Sequence, residues 1–122
     1  VHKTSGQIQE KEEKDLLYCK IKGLQATGYL TPNGIVVLKG SQAVLEERAS
    51  AKKWPSVLAQ RKRLIEDGEL VAENGAYVFS KDIEFSSPSS AASVIHGGSA
   101  NGLISWVNSD GVQLKRLQAV EQ

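Results

Sequence analysis

The chain has 122 residues, which is the size of one domain with a single modest core. Its 15 Lys and Arg residues balance its 14 Asp and Glu residues, so the net charge implies no partner. The one cysteine, Cys19, excludes an internal disulfide and indicates an intracellular, cytoplasmic protein. The sequence shows no signal peptide and no apolar run of transmembrane length, so we expect no membrane partner.

The charges are distributed unevenly along the chain. Residues 16–65 contain nine basic and two acidic residues, whereas residues 66–110 contain seven acidic residues and one basic residue. This asymmetry predicts either a face directed at a polyanion or an attraction between the two halves across a solvated surface. The sequence leaves both alternatives open.

Residues 1–15 are polar, mixed in charge and poor in apolar side chains. This composition predicts a linker or disordered tail that leads out of an upstream domain. Because the chain begins with Val rather than Met, we interpret it as a fragment of a longer protein, whose upstream domain is an expected partner. Residues 16–122 are predicted to form a single α+β domain.

Three hairpins are predicted along this domain. Residues 17–22 alternate apolar and polar side chains, which is typical of a strand with one buried face. Asn-Gly turns at residues 33–34 and 74–75 predict the first two hairpins. Apolar residues within 103–107 and 112–117 flank an Asn-Ser-Asp-Gly turn and predict the third.

The first of two predicted helices covers residues 54–67. Its apolar stripe has helical spacing and is formed by Trp54, Val57, Leu58, Leu64 and Ile65. Arg61 lies on the same stripe. There an arginine pairs with a carboxylate, extends its head to the edge of the core, or presents its guanidinium to a phosphate.

The second predicted helix belongs to residues 85–109, a stretch without any charged residue. Ser86 or Ser87 can cap its N-terminus, Pro88 suits its first position, and the Gly-Gly pair after His96 can close it. The stretch is either a central helix packed on all sides or a polar, uncharged surface that holds a ligand. Together, the hairpins and helices predict an α+β fold, with a mainly antiparallel sheet packed by two helices.

A family resemblance is carried by TPNGIVVLKGS at residues 31–41, RKRLIEDGELV at 61–71 and SPSSAASVIHGGSANGLISW at 87–106. These segments resemble an uncharacterised bacterial domain that is often found C-terminal to GIY-YIG nuclease domains and in restriction-modification proteins. The resemblance covers residues 17–115. The third segment is also similar to the RAMA domain, a module associated with adenine methylases and thought to read modified DNA. The resemblance implies a non-catalytic accessory domain that associates with double-stranded DNA.

No catalytic constellation is visible in the sequence. The GIY-YIG tyrosine motif is missing, and His2, His96 and Cys19 lie too far apart in sequence to indicate a metal site. Ser99, His96 and Asp110 could form a triad on paper, but the strained nucleophile elbow is absent. Cys19 faces inward on its predicted strand, and His96 suits the negative end of a helix dipole. We therefore expect no enzymatic activity, no cofactor and no metal.

The candidate nucleic-acid contacts are of three kinds. Cations can bind phosphates, serines at a helix start can hold a phosphate, and Ser99 or Asn101 can reach a base edge. Helix capping and turn formation are the structural alternatives for the polar residues. A coherent positive face would favour nucleic acid, whereas dispersed cations with an exposed apolar patch would favour a protein-interaction or scaffolding domain. The candidates are Lys39, Lys52, Lys53, Arg61, Lys62, Arg63, Ser87, Ser89, Ser99 and Asn101.

Overall fold

The computed structural model describes residues 16–121 of the chain; the predicted tail of residues 1–15 lies outside them. Within these residues the strands are β1 (Leu17–Ile21), β2 (Leu24–Thr31), β3 (Gly34–Val37), β4 (Gln42–Ala43), β5 (Leu70–Glu73), β6 (Ala76–Phe79), β7 (Ile83–Phe85) and β8 (Trp106–Val107). The α-helices are α1 (Pro55–Glu66), α2 (Pro88–His96), α3 (Gly102–Ser105) and α4 (Leu114–Glu121), and a 3-10 helix covers Ala49–Lys53.

The strands form two antiparallel sheets. The larger has the order β7-β3-β2-β1-β8, and the smaller has the order β4-β6-β5. The predicted Asn-Gly turns are confirmed, since β2 pairs with β3 and β5 pairs with β6. At the second turn Asn74 and Gly75 both have positive φ, as a two-residue hairpin turn requires. The predicted α+β fold class is therefore confirmed.

Helix α2 lies at the centre of the core. It contacts α1, α3 and strands β1, β3, β4 and β7. Ala91, Ala92, Val94 and Ile95 are completely buried against these elements. The two alanines allow the sheet to approach closely, because they carry little side-chain volume. The helical part of the uncharged stretch is therefore a central packed helix, as the first of the two interpretations predicts.

The ends of α2 follow the signals predicted from the sequence. The Ser87 side-chain oxygen accepts a hydrogen bond from the Ser90 backbone N–H at 3.0 Å, and Pro88 occupies the first turn. Gly97 closes the helix in the left-handed conformation, with φ of 72°. A Cβ at Gly97 would lie 2.8 Å from the Val44 side chain. A side chain at this position would therefore separate α2 from the segment after β4.

The third predicted hairpin is wrong. Residues 102–105 form the short helix α3, and residues 114–121 form α4. Pairing across the turn is reduced to a single bridge between Val107 and Gln113. The expected strand at 103–107 is shortened because the Asn101 side chain accepts from the Leu103 N–H at 2.9 Å and caps a helical turn instead.

The predicted strand at residues 112–117 is absent for a different reason. The Asn108 side-chain oxygen accepts from the N–H groups of Asp110 and Val112, both at 2.9 Å, and this closes a tight turn. The chain then enters α4, where Leu114 and Leu117 lie three residues apart and both pack on the core. Such a spacing of apolar residues is helical rather than strand-like.

The predicted position of Trp54 on the apolar stripe of α1 is also wrong. The helix begins at Pro55, and Trp54 precedes it with φ of −130° and ψ of 70°. Trp54 therefore does not follow the helical spacing of Val57 and Leu64, and 49% of its surface is exposed. None of the helices in residues 16–121 has the length and apolar character needed to cross a bilayer.

Candidate nucleic-acid interface

Three of the polar residues predicted as ligand contacts, Ser87, Ser89 and Asn101, lie around the start of α2, whereas Ser99 follows the end of that helix. Ser87 caps that helix, and Asn101 caps α3. The Ser89 side-chain oxygen accepts from the Gly102 N–H at 2.9 Å. The side chains of Ser87, Ser89 and Asn101 therefore bond to the protein's own backbone, as expected for residues that cap helices and form turns. Ser99 is exposed, and its carbonyl accepts from Arg48 at 3.3 Å.

Helix α3 is held tightly against the N-terminus of α2. The buried Trp106 indole N–H donates to the Pro88 carbonyl at 3.0 Å. A Cβ placed on Gly102 would lie 2.3 Å from the Pro88 carbonyl carbon and 2.4 Å from the Ser89 nitrogen. The Ser-Pro-Ser, Asn-Gly and Trp parts of the third sequence motif therefore meet in one place. They build the junction between α2, α3 and β8.

Arg61 is completely buried, which removes it from the candidate phosphate contacts. Its guanidinium donates to the carbonyls of Val94 and Val44, the second at 2.9 Å. The Arg61 Nε lies 3.4 Å from a carboxylate oxygen of Glu47, and the guanidinium lies 5.6 Å from the centre of the Tyr77 ring. Because Val94 lies in the last turn of α2, Arg61 joins α1 to the negative end of the central helix.

Arg63 and Lys39 adjoin acidic side chains. Arg63 lines a groove of about 390 Å³ together with Asp67, Glu69, Asp82 and Glu84. The Lys39 backbone N–H donates to the Asp82 carboxylate at 2.8 Å. A phosphate would be repelled by the carboxylates of this groove. Both residues therefore lie at a surface that is poorly suited to DNA.

The remaining predicted cations, Lys52, Lys53 and Lys62, are exposed. They belong to residues 48–65, a basic segment that contains six basic residues and no acidic residue. Among the side chains that the structure describes, none forms an ion pair with these three lysines. Lys20 and Lys22 lie apart from the basic segment, on β1 and in the turn after it. The predicted cations are thus dispersed rather than gathered on one face, which counts in favour of the scaffolding alternative. Lys52, Lys53 and Lys62 are those that are exposed and lie outside the acidic groove.

Cys19 and His96 form a partly buried contact on the inner face of β1. The Cys19 sulfur lies 3.4 Å from His96 Nε2, at the C-terminus of α2. Burial raises the pKa of Cys19 to about 12. Burial, together with the positive charge of Arg48, lowers the pKa of His96. The pair is therefore neutral at physiological pH, and His96 does not serve as a cation at the helix end. No cluster of three potential metal ligands occurs in residues 16–121.

One family model covers nearly the whole described chain. The model of a domain of unknown function, DUF4357, matches residues 17–118. The chain belongs to this family. No curated protein and no solved structure matches it. The three sequence motifs thus led to an uncharacterised family, and the description of DUF4357 names no catalytic activity. The association with GIY-YIG nucleases and the similarity to the RAMA domain stay predictions.

The DUF4357 domain is expected to lose stability in acid through His96. The pKa of His96 is lowered in the folded state by burial and by Arg48, whereas the unfolded chain has the ordinary value of 6.5. Below that value the unfolded chain takes up the proton more readily than the folded domain, so the free energy of unfolding decreases as the pH is lowered. Urea unfolding at about pH 7.5 and about pH 5.5 should show a smaller loss in His96→Gln than in the wild type. Equal losses would contradict this prediction.

The Cys19 thiol of the DUF4357 domain should react slowly with disulfide reagents. With a pKa of about 12 it is almost entirely protonated at neutral pH, and its side chain is buried. We expect labelling of the folded domain to be at least about 100-fold slower than labelling in denaturing urea. Rapid labelling of the folded domain would show that the thiol is accessible and ionised.

Proposed function

We propose that this DUF4357 domain is a non-catalytic accessory module of nuclease or restriction-modification type proteins and associates with double-stranded DNA. The observation that carries the proposal is the basic segment, residues 48–65, with six basic residues and no acidic residue. Of these six, Arg48, Lys52, Lys53 and Lys62 are exposed and lie outside the acidic groove that Arg63 lines, whereas Arg61 is buried. Lysines of this kind bind the DNA backbone and release its counterions, independently of base sequence.

The local structure supports contact with phosphates at the start of the segment. Lys52 and Lys53 end the 3-10 helix, immediately before the N-terminus of α1. The first turn of α1 contains no acidic residue, and its N-cap makes no side-chain hydrogen bond. The positive end of the helix dipole therefore adds to the charge of the two lysines.

The non-catalytic role is supported by the state of the polar groups that could react. The thiol of Cys19 and the imidazole of His96 are neutral and contact each other inside the fold. The side chains of Ser87, Ser89 and Asn101 bond to backbone N–H groups. A nucleophile needs a base beside it or a lowered pKa, together with access to its substrate. Cys19 has the His96 imidazole beside it, but burial raises the pKa of its thiol and leaves none of its surface exposed.

Binding to a labelled duplex, measured by fluorescence anisotropy, tests the proposal. We expect micromolar binding at low salt to duplexes with plain or N6-methylated adenine. The double substitution Lys52→Glu with Lys53→Glu should weaken it at least about tenfold, because two phosphate contacts become repulsive. The matched control is Lys20→Glu with Lys39→Glu, which changes the net charge equally outside the basic segment. Failure to bind either duplex at low salt would refute the proposal.

A second candidate is a protein-interaction or scaffolding domain that docks on its own upstream domain. It is favoured by the consecutive apolar residues Leu103 and Ile104 on α3, both of which are exposed. Exposed apolar pairs of this kind occur at protein contacts. A partner held there would be captured independently of salt, and Leu103→Ser with Ile104→Ser would abolish the capture while DNA binding persists.

A further inference from the structure

Trp54 has a large aromatic side chain that does not pack in the hydrophobic core. About half of its surface, 49%, is exposed, whereas Trp106 is completely buried. Exposing an indole costs a substantial part of the free energy that its burial would contribute. An exposed tryptophan at a fixed position is therefore a candidate contact for a partner.

The backbone holds Trp54 in place from both sides. Its N–H donates to the Ala51 carbonyl at 2.9 Å, and its carbonyl accepts from the Val57 N–H at 2.9 Å. Ala51 is almost completely buried and anchors the 3-10 helix. Trp54 thus lies at a hydrogen-bonded junction between two helices, so little backbone entropy is lost when a partner contacts it.

The two residues that precede Trp54 in the chain are cations. Both of them, Lys52 and Lys53, are exposed. In the part of the chain that the structure describes, the other large exposed apolar residues lie outside the 3-10 helix and α1; they are Leu30, Leu45, Val71, Leu103 and Ile104. The centre of a protein interface is depleted in lysine and formed by apolar neighbours. The lysines next to Trp54 therefore favour a polyanionic partner over a protein.

We infer that Trp54 stacks on an unpaired DNA base while Lys52 and Lys53 bind the adjoining phosphates, so that this domain prefers DNA containing unpaired bases to fully paired duplex. An aromatic side chain beside cations is the arrangement that binds single strands, because every base offers a face for stacking. In a continuous duplex the faces of the bases are covered by their neighbours. The inference rests on the proposed function and defines the kind of DNA that is bound.

The two tryptophans allow a direct test in the intact domain. We would titrate it with a 12-nucleotide oligothymidine and with a duplex of the same length. We expect the oligothymidine to quench the emission of the exposed Trp54, while the buried Trp106 stays unchanged. In Trp54→Phe the quenching should disappear, since Trp106 is then the remaining tryptophan. Because Trp54 is exposed, this variant should fold, which circular dichroism would verify.

Affinities of the variants supply the second readout. Trp54→Ala should weaken oligothymidine binding about tenfold, and Trp54→Phe should weaken it less because its ring still stacks. Both substitutions should reduce the affinity for the duplex much less. Val71→Ala, which truncates an apolar residue of similar exposure (44%) on β5, should leave both affinities unchanged.

The possible failures separate the inference from the proposed function. If Trp54→Ala binds oligothymidine as tightly as the wild type and the domain still binds the duplex, the inference is overturned and the proposed function stands. Equal losses for duplex and oligothymidine would overturn the preference for unpaired bases. Binding to neither DNA would refute the proposed function and the inference together. Loss of a protein partner in Trp54→Ala, without loss of DNA binding, would overturn the inference in favour of a protein contact.

Discussion

Replacing Gly102 by alanine is expected to destabilise the domain by about 3 kcal/mol or more, or to prevent folding. The new Cβ would lie 2.3 to 2.6 Å from backbone atoms of Pro88 and Ser89. Backbone atoms cannot rotate away as a side chain can, so α3 would have to move from the start of α2. That movement would break the hydrogen bonds from Gly102 to Ser89 and from Trp106 to Pro88.

Gly111→Ala is the matched control for this substitution. Gly111 has a positive φ of 82°, and nothing lies within 4 Å of the position of its Cβ. Its replacement therefore adds conformational strain of about 1 to 2 kcal/mol without a clash. Urea unfolding followed by circular dichroism would compare the two variants. If Gly102→Ala cost no more than Gly111→Ala, the close contact between α2 and α3 would be wrong.

Replacing Arg61 by methionine is expected to cost about 3 to 5 kcal/mol of unfolding free energy. Methionine fills much of the same volume but leaves the carbonyls of Val44 and Val94 without a donor in the core. A carbonyl that stays buried without a donor destabilises the folded state by the full free energy of its desolvation. Lysine retains the charge but cannot donate in several directions from one plane, so Arg61→Lys should lose stability as well, though less.

Lys62→Met provides the control because Lys62 is the next residue on α1 and is exposed. Its effect should remain within about 0.5 kcal/mol. The midpoints of urea unfolding would be compared at constant slope, so that a change in midpoint reports stability. A similar, small loss in Arg61→Met would show that the two carbonyls do not depend on the guanidinium.

The elements that could be predicted from the sequence are those with local signals. The limits of α2 follow from Ser87, Pro88 and Gly97, whose capping geometry depends on immediate neighbours. The Asn-Gly turns specify hairpins for the same reason. Pro55 carried a further signal, because proline favours the first position of a helix and so places Trp54 before α1. Weighing that signal above the apolar stripe would have placed Trp54 outside the helix.

The features that could not be predicted depend on distant contacts. The partners of Arg61 include carbonyls 17 and 33 residues away. Because every residue has a backbone carbonyl, the amino-acid sequence does not indicate which of them an arginine binds. The apolar residues after Gly102 resemble a strand, but tight docking on Pro88 and capping by Asn101 convert the first part of them into α3. For α4, the spacing of Leu114 and Leu117 was an available helical signal.

The candidate interface shows the same division between local and distant information. The sequence indicated an excess of cations in the first half of the chain, and residues 48–65 carry most of it. The apolar stripe placed Arg61 toward the core, but the sequence could not indicate which carbonyls it binds. It also could not indicate that Glu69, Asp82 and Glu84 adjoin Arg63, because these three carboxylates come from outside α1. Lys52, Lys53 and Lys62 remain as the predicted cations that lie exposed and away from that acidic groove.

The dependence of duplex affinity on salt decides whether the basic segment binds DNA. The logarithm of the association constant should fall linearly with the logarithm of the salt concentration, with a slope of about 0.9 per phosphate contacted. In Lys52→Gln with Lys53→Gln the slope should be shallower by about 1.8, because two contacts are removed. Lys20→Gln with Lys39→Gln should keep the wild-type slope. A slope that is identical in all three proteins, or binding that does not respond to salt, would contradict a role of this segment in DNA binding.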